Sequence, residues 1–264
     1  MGSYPPDSSV TALTEIFFQR VKMTNLTIAI PTYNSPDIVA NCISSLFMNT
    51  DIAKFNARVV VVNNGSYPLV NLGRGGSIEV HDIGRNLGWM KAINYVLDRD
   101  KADSDFFVMM NDDLLFVPGS DTFWKRLVET ARIVNVGMVG PSSNYVSGYQ
   151  NAWWHTPWSR VNCGYIIGML SMIDAYLFKE LGGLDENLPG GDDLDLSLRV
   201  RKHGFQLAAV RHSYVHHIGS QTGKREQADY WDSQRHQAET YNAIIKKHGV
   251  KAYWEMLNWN PSEL

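Results

Sequence analysis

Phe106-Phe107-Val108-Met109-Met110-Asn111-Asp112-Asp113-Leu114 is the stretch that decides the fold of this chain. Its five leading apolar residues are typical of a central parallel strand that is buried on both faces. In open α/β sheets, ligands bind beyond the carboxyl ends of such strands. Burying the following Asp112 and Asp113 unpaired would be costly. The stretch therefore predicts a ligand cleft or a divalent cation here. Capping of a helix near Asp121, or a solvated turn, is the alternative.

The segments around this strand alternate between strand and helix patterns. Residues 26–30, 59–62 and 78–82 predict strands, and Ser35 and Pro36 predict the N-cap and first residue of a helix. Apolar residues at helical spacing predict further helices after Gly88 and around Leu127. This alternation indicates an α/β fold, with a mostly parallel sheet and helices on both faces.

The second half of the chain predicts a smaller, mixed portion that completes a cleft. Strands are expected at 136–140, 166–173 and 207–210, and helices at 175–181, 192–203 and 226–247. We divide the chain into a poorly ordered or weakly helical leader (1–24), a main domain (25–222) with two halves, 25–140 and 141–222, and a C-terminal helical extension (223–264).

The composition favours a soluble globular protein with a sizeable core. The 264 residues are 44% hydrophobic and 19% charged, enough for a substantial core, and the net charge of −3 shows no sign of a nucleic-acid partner. Cys42 and Cys163 form no disulfide framework, which fits a reducing compartment. Neither a long apolar run nor a signal peptide is visible. We therefore expect a cytoplasmic protein without a transmembrane segment.

Polar clusters follow several of the predicted strands. In a parallel sheet they would lie along one edge, where a nucleotide binds. No glycine-rich phosphate loop follows the first strand, so the phosphates would need a cation. Carboxylate oxygens such as those of Asp112 and Asp113 suit Mg²⁺ or Mn²⁺.

Six blocks of sequence follow one another along the chain: Ile30–Asn34, Val62–Ser66, Asn86–Gly88, Asn111–Asp113, Gly182–Glu186 with Asp192–Arg199, and His217–Ser220 with the C-terminal Tyr241–Asn242 and Lys247–Gly249. Taken in this order, they resemble the blocks of the family 2 glycosyltransferases with the GT-A fold, and the resemblance spans residues 26–250. It implies that 25–222 is a GT-A glycosyltransferase domain, with a nucleotide-binding half (25–140) and an acceptor-side half (141–222).

The resemblance implies an inverting, metal-dependent transfer of a sugar from a nucleoside-diphosphate sugar to an acceptor hydroxyl. The acceptor would be a glycan, a lipid-linked molecule or another hydroxyl compound, and the enzyme could form a homo-oligomer. Asn63 stands where the family usually has the Asp that pairs with uracil, so a pyrimidine nucleotide is favoured without uridine specificity. By resemblance, the nucleotide and donor would be bound by Pro31, Thr32, Tyr33, Asn34, Asn63, Asn64, Asn86, Gly88, Asn111 and Asp112.

The catalytic and metal residues follow from the same resemblance. Asp193 is the candidate general base, and Asp192 would orient it or the acceptor. The alternative is that both are favourable first-turn charges of a helix, and we interpret Asp195 and Arg199 as a surface pair of that helix. We also expect Gly190–Gly191 to let a substrate approach closely.

Asp113 is the surest metal ligand of the motif, because Asn111 replaces its first carboxylate. His217 is the better match for a late metal-binding histidine, and His216 is the alternative. A histidine pair after a strand can equally well serve packing, so both interpretations stay open here.

An aromatic segment precedes the candidate base. Flat rings suit the apolar face of a sugar, so we expect Trp153, Trp154 and Trp158 to contact the acceptor. An aromatic plug or a dimer contact is the alternative. Two other function classes remain: a sugar nucleotidyltransferase, which would need a basic glycine-rich loop in place of Pro31–Asn34, and a catalytically inactive nucleotide-sugar-binding protein.

Overall fold

The computed structural model describes residues 23–69, 72, 77–100, 104–151, 157–219 and 234–264. Strands in these ranges are β1 Asn25–Thr32, β2 Asn56–Asn63, β3 Ser77–Asp82, β4 Phe106–Met110, β5 Leu114–Leu115, β6 Val136–Ser142, β7 Arg160–Asn162, β8 Leu170–Asp174, β9 Gln206–Tyr214, β10 His216–His217 and β11 Ser262–Glu263. The helices are α1 Pro36–Asn49, α2 Trp89–Arg99, α3 Phe123–Ala131, α4 Ala175–Glu180, α5 Asp192–Lys202, α6 Gln234–His248 and α7 Val250–Leu257, with short 3₁₀ turns at Ile52–Lys54 and Gly148–Gln150.

One large, mostly parallel sheet organises the described part of the chain. Its strand order is β11-β7-β9-β6-β8-β4-β1-β2-β3. Strands β3, β2, β1 and β4 are mutually parallel, whereas β8 is antiparallel to both β4 and β6. The predicted central strand therefore has a parallel neighbour on one side only.

The sheet is covered by helices on both faces, as the sequence predicts. Consecutive residues of β4 belong to different cores: Val108 and Met110 pack with α1 and α3, and Phe107 and Met109 pack with α2, α4 and α5. All five residues of β4 are buried. This is the burial that an uninterrupted apolar strand requires. The predicted α/β fold is confirmed.

Two local predictions are wrong in detail. The strand expected at 166–173 begins only at Leu170, because the preceding backbone N–H groups of Ile166, Ile167 and Gly168 donate to side chains instead of a strand ladder. Ser35 occupies the N-cap of α1, but its hydroxyl donates to the Tyr33 carbonyl and does not cap the helix.

Helices α6 and α7 pack against α5 through a third small core of Leu188, Leu198, Ile244 and Met256. No helix within the described ranges is long and apolar enough to span a membrane. The predicted leader, apart from residues 23 and 24, and the start of the helix predicted at 226–247 lie outside the described residues. The three predicted domain boundaries stay predictions.

The sheet brings three strand ends into line. In the parallel register, Thr32 of β1 is paired with Asn63 of β2, and Asn63 is paired with Asp82 of β3. Strand β4 lies on the other side of β1 and ends just before Asn111. A cleft above β4, β1, β2 and β3 is where an open α/β sheet binds its ligand.

Candidate functional site

A short hydrogen bond joins the adjacent carboxyl ends of the parallel strands β1 and β4. The Thr32 hydroxyl donates to Asp112 Oδ2 at 2.6 Å, and both residues are buried. Asp112 is therefore held against the end of β1, and this bond uses one of its oxygens. The burial of the pair excludes the solvated turn that the sequence left open.

A two-stranded ribbon brings a histidine to the other carboxylate. Strand β10 pairs with β5 directly after the Asp112-Asp113 turn, so that His217 lies opposite Leu114. His217 Nε2 is 3.1 Å from Asp113 Oδ1. Side chains alternate along a strand, which turns His216 to the opposite side of the ribbon. Of the two histidines, His217 is the one that reaches the acidic turn.

Second contacts fix the orientation of His217. Its Nδ1–H donates to the Tyr145 carbonyl at 3.0 Å, and the Asn144 side chain bonds both the N–H and the carbonyl of the His217 backbone. The Nε2 atom then faces Asp113. Burial would lower the pKa of His217, but the hydrogen bond and charge of Asp113 outweigh it and raise that pKa. A proton or a cation is favoured between the two side chains.

Asp113 and His217 form a corner of the site that could hold a divalent cation only if a substrate supplied further ligands. Within the part of the chain that the structure describes, no group of three or more His, Cys, Asp and Glu side chains could hold a metal ion by itself. Mg²⁺ is commonly held by one or two carboxylates together with substrate phosphates. Asp113 and His217, with a backbone carbonyl orienting the imidazole, match that incomplete set.

Asparagines tie together the loops that follow β1, β2 and β3. Asn34 has a positive φ of 50°, and its Oδ1 accepts the Ser66 N–H at 3.0 Å. A Cβ at Gly65 would lie 2.4 Å from that same oxygen, so only glycine fits there. Asn64 contacts the backbone of 87 and 88, and Asn86 Oδ1 accepts the Gly88 N–H. Four of the predicted nucleotide residues, Asn34, Asn64, Asn86 and Gly88, therefore belong to one hydrogen-bonded group of loops, which we call the nucleotide rim.

The side-chain amide of Asn63 forms its hydrogen bonds within the protein. Its Nδ2 donates to Asp82 Oδ1 at 2.7 Å and to the Tyr67 carbonyl at 3.0 Å, and its Oδ1 accepts the Gly65 N–H. Both hydrogens of the amide are in use. The predicted pairing of Asn63 with a pyrimidine would have to break one of these bonds.

The candidate bases open helix α5. Asp193 accepts the backbone N–H of Leu194 at 2.8 Å and that of Gly168 at 3.3 Å, and Asp192 accepts the indole N–H of Trp89 at 2.9 Å. Both carboxylates are half-buried at the start of the helix. They are adjacent but have different donors.

These different environments give the two carboxyl groups different pKa values. Burial and then the charge of Asp193 raise the pKa of Asp192, against the opposing hydrogen bond from Trp89. Burial also raises the pKa of Asp193, and the N–H groups of Gly168 and Leu194 offset only part of this rise. Where two neighbouring carboxyls differ in this way, the pair divides into a protonated and an ionised member. Asp193 is the better placed to stay ionised.

Asp195 corrects the sequence interpretation of a surface pair. It does bond Arg199, at 2.8 Å, but it is fully buried and also accepts Lys247 Nζ at 2.6 Å and His248 Nε2 at 2.7 Å from α6. Spacing along α5 predicted the partner within the helix. The partners on α6 depend on tertiary packing that this spacing does not encode.

The prediction that Gly190–Gly191 lets a substrate approach closely is also wrong. A Cβ on Gly190 would lie 3.0 Å from Thr240 Oγ1, and one on Gly191 would lie 2.8 Å from Thr240 Cγ2. Gly191 also has a positive φ of 72°. These glycines admit helix α6 next to the candidate base, so the close approach that they allow is that of the protein's own C-terminal helix.

The aromatic segment is only partly described. Trp158 is half-buried and packs against the core shared by α2, α4 and α5. Trp153 and Trp154 lie outside the described residues. Contact of these rings with an acceptor stays a prediction.

The model of the protein family described as "Glycosyl transferase family 2" matches residues 27–181 of this chain. The chain belongs to glycosyl transferase family 2. Uncharacterized proteins of Mycobacterium bovis and Mycobacterium tuberculosis are 27% identical to it over 177 residues. That match covers 62% of this chain, and the chain spans 64% of the length of these relatives.

Solved glycosyltransferase structures share the fold. A mannosyltransferase from Pyrobaculum calidifontis in complex with GDP-Man and Mn²⁺ is 17% identical, with a TM-score of 0.63 over 89% of this chain and 70% of its own. GalNAc-T7 with UDP, GalNAc and Mn²⁺ has a TM-score of 0.65 at 15% identity, over 85% of this chain and 48% of its own. S. aureus TarS 1–349 has a TM-score of 0.57 at 14% identity, over 90% of this chain and 76% of its own. These likenesses show the GT-A fold.

The sequence analysis did not identify several side chains at the site. Trp89 directly follows the Asn86–Gly88 block, so its position at the start of α2 could have suggested it. Asn144 and Thr240 belong to no motif, and only the fold brings them to His217 and Gly190. Asp82 ends a predicted strand and could have been grouped with the other polar strand ends.

Proposed function

We propose that this family 2 glycosyltransferase transfers a sugar from a nucleoside-diphosphate sugar to an acceptor hydroxyl with inversion, aided by Mn²⁺ or Mg²⁺. The observation that carries the proposal is the arrangement of Asp112, Asp113 and His217 at the adjacent carboxyl ends of β1 and β4, in a chain that also has the Asp192–Asp193 pair at the start of a helix. The solved neighbours with GDP-Man or UDP and Mn²⁺ support a nucleotide-sugar donor.

In this mechanism Asp193 accepts the proton of the acceptor hydroxyl, whose oxygen attacks the anomeric carbon while the diphosphate leaves from the opposite side. Gly168 N–H and Leu194 N–H hold the carboxylate in place. Asp192, anchored by Trp89, keeps the first turn of α5 oriented. A divalent cation bound by Asp113, His217 and the diphosphate would neutralise the charge of the leaving group.

Trp153, Trp154 and Trp158 are proposed to contact the acceptor. The acceptor is a glycan, a lipid-linked molecule or another hydroxyl compound, because the proposed chemistry requires only a nucleophilic oxygen. Cytoplasmic location and homo-oligomer formation belong to the same proposal.

Metal dependence is tested by nucleotide binding. We expect a nucleoside diphosphate to bind tightly with Mn²⁺ and weakly with chelator, and ligand at 100-fold above Kd to add about 2.7 kcal/mol to the free energy of unfolding. Titration calorimetry and thermal unfolding measure both. Asp113→Asn and His217→Gln should remove most of the metal effect, whereas His216→Gln should keep it. Equal affinity with metal and with chelator contradicts the metal role.

The acid limb of the rate profile tests the carboxylate pair. The base works only when ionised, and its pKa is raised, so transfer should be lost as the pH falls through a value above the ordinary Asp pKa of about 3.9. We expect two coupled protonation steps in the wild type and one in Asp192→Asn. Steady-state kcat/KM against pH measures this, with nucleotide binding followed over the same pH range. An acid limb at the ordinary value in the wild type would show that neither raised carboxyl is the base.

A further inference from the structure

The end of strand β3 carries a carboxylate with spare capacity at the nucleotide rim. Asp82 is exposed, and its Oδ1 accepts Asn63 Nδ2 at 2.7 Å. A carboxylate has about four lone-pair positions. The bond from Asn63 uses one of them and fixes the orientation of the Asp82 side chain. The remaining positions face outward, next to an amide that has no hydrogen left to donate.

The position of Asp82 fits the base end of a bound nucleotide. Thr32, Asn63 and Asp82 are in register across β1, β2 and β3, so their side chains lie on the same face of the sheet. Strand β4, which precedes Asp113, is three strands away from β3, or roughly 14 Å. An extended nucleoside diphosphate with its phosphates at Asp113 reaches about that far. The nucleobase of this ligand would then lie at the end of β3.

The hydrogen-bonding groups of Asp82 and Asn63 restrict which nucleobase can bind here. Asp82 offers only acceptors, and Asn63 adds an oxygen but no free donor. Uracil and thymine carry a ring N–H at N3, and guanine carries one at N1 next to an amino group. Cytosine and adenine have a lone pair at the corresponding ring nitrogen, so they could donate to the carboxylate only through the neighbouring amino group, with that lone pair beside the negative charge. A hydrogen bond to a charged acceptor is the stronger kind, so a ring N–H is favoured.

From this juxtaposition we propose that Asp82 determines base specificity, by accepting the ring N–H of a uracil, thymine or guanine nucleotide. This inference rests on the proposed function and makes it more specific. It also replaces the predicted role of Asn63: the amide positions Asp82 and does not pair with the base. A pyrimidine is then not required, since guanine satisfies the same acceptor.

The test compares the affinities of five nucleotides. UDP, dTDP, GDP, CDP and ADP are titrated calorimetrically into the full chain with Mn²⁺. We expect at least one of the first three to bind about 10- to 100-fold more tightly than CDP and ADP. Which of the three binds best distinguishes a pyrimidine from a guanine donor. In Asp82→Asn, whose amide can also donate to a ring nitrogen, the preference over CDP should fall about tenfold or more.

Each outcome decides the inference. Asp98→Asn, an exposed carboxylate near the end of α2, is the matched control and should keep the wild-type ranking. Circular dichroism of Asp82→Asn checks that the fold is kept. CDP or ADP binding as tightly as the other three, or an unchanged ranking in Asp82→Asn, overturns the role of Asp82 and leaves the proposed function intact. Failure of all five diphosphates to bind overturns both.

Discussion

Replacing Asp193 by asparagine should lower the rate of sugar transfer by about 10²- to 10⁴-fold, the usual contribution of a positioned general base. Asparagine keeps the shape of the side chain, and its single oxygen can still accept one of the two N–H groups, which bond different oxygens of the carboxylate: that of Leu194 at Oδ1 or that of Gly168 at Oδ2. What it lacks is the capacity to take the acceptor proton. Metal and nucleotide binding should persist, because the corner of Asp113 and His217 is formed by other elements.

Controls separate this loss from a general loss of structure. Asp98→Asn removes an exposed carboxylate elsewhere and should leave the rate unchanged. Asp192→Asn should be intermediate, because its bond to Trp89 positions the helix start without receiving the proton. Transfer is measured by product formation, and donor binding by calorimetry. Near-normal turnover of Asp193→Asn, or a product with retained anomeric configuration, would exclude this mechanism.

The fold of the first half, residues 25–140, could be predicted because its sequence signals are local. The apolar run of β4 has to be buried on both faces, and its consecutive residues do enter opposite cores. Strand ends of a parallel sheet must lie along one edge, so Thr32 and Asn63 could be placed side by side before the structure was known. Burial and strand direction together fix this half.

The contacts of the polar side chains could not be predicted in the same way. The sequence places Asn63 at the correct strand end, but its amide is used by Asp82 and Tyr67, which lie at other positions in the chain. The spacing of Gly190–Gly191 before Asp193 looks the same whether a substrate or a helix fills the space. Only tertiary packing decides between them, and it places Thr240 there.

Asp195 shows the same limit and has a large expected effect on stability. It is fully buried, and it joins the helix that carries the candidate base to helix α6. Asp195→Asn keeps the volume but leaves the charge of Arg199 and Lys247 without a buried partner. Breaking a buried ion pair in this way costs about 3–5 kcal/mol. In a chain of this size we expect the Tm to fall by roughly 6–20 °C.

Asp185, which bonds the same lysine, provides a matched control. Asp185 also accepts Lys247 Nζ, at 2.7 Å, but its side chain is 26% exposed, whereas that of Asp195 is fully buried. The Lys247 hydrogen bond lowers the pKa of Asp185 to about 2, yet a solvated pair contributes only about 0–1 kcal/mol. Asp185→Asn should therefore lower the Tm by a few degrees at most. Equal shifts in the two variants would show that burial does not set the strength of this network.

The pH dependence of the Tm gives a second, independent readout of Asp195. Burial would raise the pKa of Asp195, but the hydrogen bonds from Lys247 and His248 and the charge of Arg199 outweigh it, so that pKa is lowered. A lowered folded-state pKa contributes stability above the unfolded value of about 3.9, and this stability is lost as the pH falls through the folded value. The Tm difference between wild type and Asp195→Asn should thus be full at neutral pH and shrink below about pH 4. A difference that persists undiminished in acid would mean that the variant disturbs packing, because a packing defect does not depend on whether the wild-type carboxyl carries a proton.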